Sequence, residues 1–81
     1  METIMDNRNI NKEKIQQSHT NAAEHYKKAA EHHGEAAQHH AEGNIDKGNS
    51  HAYIAQSHSQ QAKKYALEAS AQVLSTEMQR R

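Results

Sequence analysis

Asn21-Ala-Ala-Glu-His-Tyr-Lys27, Lys28-Ala-Ala-Glu-His-His-Gly34 and Glu35-Ala-Ala-Gln-His-His-Ala41 follow one another without a break. A strict seven-residue repeat keeps one face of an α-helix turned toward a partner. Here that face is built from alanine and histidine where a coiled coil uses leucine. Alanine lets two helices approach closely. Histidine brings a side chain that ligates metals and titrates near neutral pH. The repeat therefore predicts a long helix whose inner surface carries chemistry.

Working outward, Ile15 sits seven residues before Ala22 and extends the same column, so the first helix is expected over about 12–42. Asn9 or Asn11 is its candidate cap, with Glu13 in the first turn. Asn21 with Glu24 gives a weaker capping signal. Residues 1–11 are polar, asparagine-rich and without a clear period, and are expected to form a flexible arm. The stretch Glu42-Gly-Asn-Ile-Asp-Lys-Gly-Asn-Ser50 interrupts the heptads. Gly43 suits a helix C-terminus, and Asn44 tolerates the left-handed conformation found there. Asp46 or Ser50 is expected to cap a second helix running to about residue 79, where Arg80 and Arg81 suit the negative end of its dipole. Residues 12–81 thus read as one all-α domain, an antiparallel helical hairpin.

At 100° per residue, the column Ala22/Ala29/Ala36 on the first helix is taken as the origin. His19/Tyr26/His33/His40 then falls at about 40°, Ala23/Ala30/Ala37 at about 100° and His25/His32/His39 at about −60°. On the second helix, Ala55/Ala62/Ala69 lies beside His51/His58/Tyr65. A [His/Tyr]-x-x-x-Ala word recurs at 19/23, 26/30 and 33/37, and again at 51/55, 58/62 and 65/69. A hairpin centred between Ile45 and Asp46 would pair His40 with His51, His33 with His58 and Tyr26 with Tyr65. A tight turn at Gly43-Asn44 would shift that register by about one turn.

Composition narrows the function. The 81 residues carry ten basic and ten acidic side chains, eight histidines and no cysteine, proline, phenylalanine or tryptophan. The absence of cysteine removes disulfides and thiolate metal sites. A neutral chain without a basic block argues against nucleic acid. No apolar run is long enough to span a bilayer. Met1-Glu-Thr-Ile-Met-Asp-Asn-Arg8 lacks the charged start and apolar centre of a secretory signal, so the expected location is cytoplasmic. Thirteen of the hydrophobic residues are alanine, and Met1, Ile4, Met5 and Ile10 precede the repeat. A helix pair with so few large apolar side chains is expected to need a second copy, a metal ion or a protein partner. A homodimeric four-helix bundle is the expected assembly.

Neutral imidazole ligates Cu(II), Ni(II), Co(II) and Zn(II), and the absence of sulfur from the repeat disfavours Cu(I). The histidines lie one, six or seven residues apart, and seven residues span about 10.5 Å of helix. No two on one helix have the i,i+3 or i,i+4 spacing that chelates a single ion. A site must combine two helices or recruit carboxylates. His32 with Glu35 and His39 with Glu42 have i,i+3 spacing. The candidate ligand pools are His32, His33 and His58 with Glu35, and His39, His40 and His51 with Glu42. Of these, His33 and His58, with His32 in support, are expected to contribute more than His19 or His25.

The words AAEHYKKAAEHHGEAAQHHAEGN at 22–44 and HAYIAQSH at 51–58 resemble small bacterial histidine-rich proteins built from Ala-Ala-x-His-His heptads in a helical hairpin. The resemblance covers roughly residues 19–70. In heptad style the chain is also similar to small periplasmic metal-binding proteins, which implies reversible binding of several divalent ions. Those proteins carry a signal peptide, and no such segment is evident here. Gly43-Asn-Ile-Asp-Lys47 resembles the turn of a single tetratricopeptide helix pair, in geometry only.

Three readings compete. The first is non-enzymatic metal binding or buffering through histidine layers. The second is a small interaction module, an adaptor or inhibitor, with Tyr26, Tyr53 and Tyr65 as anchors and no metal requirement. The third is an acid-sensing switch whose histidines charge and repel below about pH 6. No nucleophile–base constellation or glycine-rich phosphate loop points to an enzyme.

Overall fold

The computed structural model describes the backbone of residues 2–79 and the side chains of residues 12–74. Two helices, α1 (Glu2–Ala41) and α2 (Ile45–Gln79), pack against each other as an antiparallel hairpin. The hairpin measures 63 × 16 × 12 Å, and its long axis is the length of α1 at about 1.5 Å per residue. Among the described residues no helix is long and apolar enough to cross a membrane.

α1 starts ten residues before Lys12. The helical backbone thus takes in residues 2–11, a stretch that holds no glycine or proline to stop a helix. Asn9 and Asn11 therefore lie inside α1 and do not cap it. Met1, Arg80 and Arg81 lie outside the described residues, as do the side chains of Ile4, Met5 and Ile10.

The turn explains the register. Gly43 has φ 82°, a left-handed conformation that a side chain disfavours. Its N–H donates to the His40 carbonyl at 3.0 Å, and the Asn44 N–H donates to the His39 carbonyl at 2.8 Å. These two bonds form the Schellman arrangement, which satisfies the last carbonyls of α1. Asn44 then accepts the first intrahelical bond of α2 from the Gly48 N–H at 3.0 Å. One residue thus ends the first helix and caps the second. Asp46 and Ser50, the expected caps, sit inside α2, where the Ser50 hydroxyl donates to the Asp46 carbonyl at 3.1 Å.

The core is narrow. Ala22, Ala29 and Ala36 on α1 meet Ala55, Ala62 and Ala69 on α2, with Ser18 buried at the open end. Among the described residues no large side chain is fully buried. Alanine at the contact allows the close end of the usual helix spacing. Gly48 continues the α2 column toward the turn, and a Cβ there would fall 2.7 Å from the His40 ring. Glycine at this position lets that imidazole lie over the α2 backbone.

Candidate metal centre

On each helix an aromatic column follows the buried contact residues by three: Ala22, Ala29 and Ala36 on α1, and Gly48, Ala55 and Ala62 on α2. It is His25/His32/His39 on α1 and His51/His58/Tyr65 on α2, and all but Tyr65 are histidine. These six rings interleave into one ladder along the hairpin. Ring centroids lie 5.3 Å apart for His39–His51, 5.2 Å for His51–His32 and 5.9 Å for His32–His58. The series continues at 5.2 Å for His58–His25 and 5.7 Å for His25–Tyr65. Such spacings are typical of stacked aromatic side chains.

The ladder uses a different α1 column from the one expected to face α2. His33 and His40 are exposed, and Tyr26 is half-exposed. The pairs His33/His58 and His40/His51 do not form. The turn at Gly43-Asn44 and the start of α2 at Ile45 set the register, placing His32 between His51 and His58. His25 is also a rung. His19 instead lines a groove of about 390 Å³ with Ser70, Val73 and Leu74, toward the open end.

Two rungs bring ring nitrogens into direct contact. His32 Nδ1 and His51 Nδ1 are 3.0 Å apart, as are His25 Nδ1 and His58 Nδ1. A hydrogen bond within either pair requires one protonated and one bare nitrogen, so the tautomers set its direction. At the first pair a carboxylate joins. Glu35 Oε2 lies 3.0 Å from His51 Nδ1 and 3.8 Å from His32 Nδ1. His32 and Glu35 come from one turn of α1, and His51 from α2. Both histidines are half-buried, while Glu35 is exposed.

This triangle is the one group of three or more histidine and acidic side chains among the described residues with a metal-site arrangement. A tetrahedral ion with bonds of about 2.0–2.1 Å sets its ligand atoms about 3.3 Å apart. Edges of 3.0, 3.0 and 3.8 Å bracket that spacing. The triangle takes His32 and Glu35 from one expected ligand pool and His51 from the other. Of the remaining pool members, His58 pairs with His25, His39 lies near Glu42, His33 is exposed, and His40, also largely exposed, lies over Gly48 of α2.

One heptad from the triangle, Lys28 occupies the place that Glu35 has relative to His32. The pKa of His58 is lowered from its ordinary 6.5, first by burial and then by the charges of His25, Lys28 and His32.

The chain matches no protein-family model, no curated protein and no solved structure.

Proposed function

We propose that this chain binds a divalent transition-metal ion through His32 Nδ1, His51 Nδ1 and a Glu35 oxygen, as a binding or buffering protein and not as an enzyme. The observation that carries the reading is the convergence of these three atoms from two helices at ligand-to-ligand spacing. Two imidazole nitrogens and one carboxylate suit Zn(II), Cu(II), Ni(II) and Co(II), with Cu(II) the tightest on the general affinity order. A half-buried centre spanning both helices also supplies what the alanine core lacks, a strong link between α1 and α2. The resemblance to histidine-rich helical hairpins agrees with this role, and the cytoplasm is the compartment we favour.

Self-association belongs to the same reading. The chain exposes 6421 Å² at 9.1 kDa, whereas a compact monomer of that mass exposes about 4,900 Å². Tyr53, Leu67 and Leu74 are among the large apolar side chains on this surface. A homodimeric four-helix bundle would cover part of the excess. Sedimentation of metal-free protein at micromolar concentration tests this; a cooperatively melting monomer would rule it out.

Titration calorimetry with Zn(II), Ni(II) and Cu(II) tests the metal reading. Binding should release protons and weaken as pH falls through the imidazole range, because the ligating nitrogens must be bare. A metal response equal to that of a histidine-free helical hairpin contradicts the proposal.

A further inference from the structure

Beside the triangle, one heptad toward the turn, lies a second pair with the same His-x-x-Glu spacing. His39 Nδ1 is buried as an atom and makes no hydrogen bond, although its side chain as a whole is 26% exposed. Glu42 Oε1 lies 4.0 Å away, too far for a hydrogen bond and just beyond the ligand spacing of a bound ion. Glu42 is also oriented. Its other oxygen, Oε2, accepts from Gln38 Nε2 at 3.4 Å, which leaves Oε1 toward His39. A buried ring nitrogen without a partner is costly to keep, and a bound cation removes the cost.

We infer that His39 Nδ1 and Glu42 Oε1 form a second, weaker site for the same class of ion, with water completing its coordination. The inference rests on the metal reading of the His32/His51/Glu35 triangle. The two sites differ in construction. The triangle draws three ligands from two helices. The second site draws two ligands from a single turn of α1, and Glu42 must close from 4.0 Å by about 0.7 Å. His40, the neighbouring imidazole, lies over Gly48 and takes no part. The α2 ring nearest His39 belongs to His51, whose Nδ1 is engaged with Glu35 and His32. The chain therefore takes two ions per copy, the first at the triangle and the second at His39/Glu42.

Zn(II) titration of the whole chain at pH 7.5, followed by calorimetry and by the histidine ring signals in NMR, tests this. The wild type should show two unequal binding events, with His39 responding in the second. Glu42→Gln should lose the weaker event and keep the first. His39→Ala should do the same; because His39 stacks on His51, the Glu42 variant is the cleaner of the two. A single event in wild type, with His39 unmoved to saturation, overturns the second site and leaves the triangle intact. Two events that both survive Glu42→Gln also overturn it. No binding at all overturns the triangle as well.

Discussion

Two rungs of the ladder are built alike and differ in one neighbouring side chain. At His32/His51 and at His25/His58 the facing Nδ1 atoms are 3.0 Å apart. Three residues after His32 stands Glu35, whose carboxylate lies 3.0 Å from the His51 nitrogen and 3.8 Å from that of His32. Three residues after His25 stands Lys28, whose charge helps to hold the His58 pKa down. The first rung offers a cation three ligands and a negative charge; the second offers two nitrogens and a positive charge. On the proposed metal reading, the residue that follows each α1 histidine by three is what distinguishes the two rungs.

Exchanging those residues should break the contrast most strongly. Glu35→Lys is expected to weaken the first Zn(II) event on the order of 100-fold, or about 2.7 kcal/mol, as read by calorimetry. Lys28→Glu in the wild-type background should create a three-ligand rung at His25/His58 and add a binding event. If Lys28→Glu adds nothing, geometry other than charge separates the two rungs.

The next effect concerns the shared frame. Ala29→Leu or Ala62→Leu introduces bulk where the helices touch and should destabilise the hairpin by about 1–3 kcal/mol in thermal or urea unfolding. Ala30→Leu, on the exposed face of α1, should change stability little. Equal losses at positions 29 and 30 would place the helix contact elsewhere.

A smaller effect separates the rungs by pH in the metal-free protein. The folded-state pKa of His58 is below its ordinary 6.5, so the unfolded chain takes up the proton first. Stability from this group is complete above about pH 6.5 and declines as pH falls below that value toward the folded pKa. Lys28→Gln removes one cause of the shift. It should raise the His58 pKa in an NMR titration and flatten the loss of melting temperature between pH 7 and pH 5. An unchanged His58 titration would show that Lys28 does not act on this rung.

Gly34 gives the smallest change. It lies inside α1, exposed, and an added Cβ would meet nothing within 4 Å. Gly34→Ala should stabilise the hairpin by up to about 1 kcal/mol without altering metal affinity. Gly43→Ala should act in the opposite direction, because φ at Gly43 is 82°.

The hairpin was legible because the heptads, the alanine columns and Gly43 all act locally. The choice of inner histidine column was not. His33/Ala37 and His32/Ala36 spell the same His-x-x-x-Ala word, yet Ala36 is buried and Ala37 exposed. Ala-x-x-[His/Tyr] spacing does not separate the two columns either: it occurs at 22/25, 29/32 and 36/39 and equally at 23/26, 30/33 and 37/40. Glu35 beside His32 could be read from i,i+3 spacing. His51 could not be added, because its level depends on where α2 begins. Asn44, which both ends α1 and caps α2, sets that level through backbone bonds that composition does not reveal.

The central claim is that two specific ring nitrogens and one carboxylate form the primary site. Nitrogen-15 spectra of the histidine rings during addition of one equivalent of Zn(II) test it most directly. The account predicts that the Nδ1 signals of His32 and His51 move to the metal-bound range while their Nε2 atoms keep the proton, and that Glu35→Gln diminishes both changes. The exposed His33 and His40 should stay unchanged. First changes at His33, at His40 or at the Nε2 atoms of His32 and His51 would contradict it.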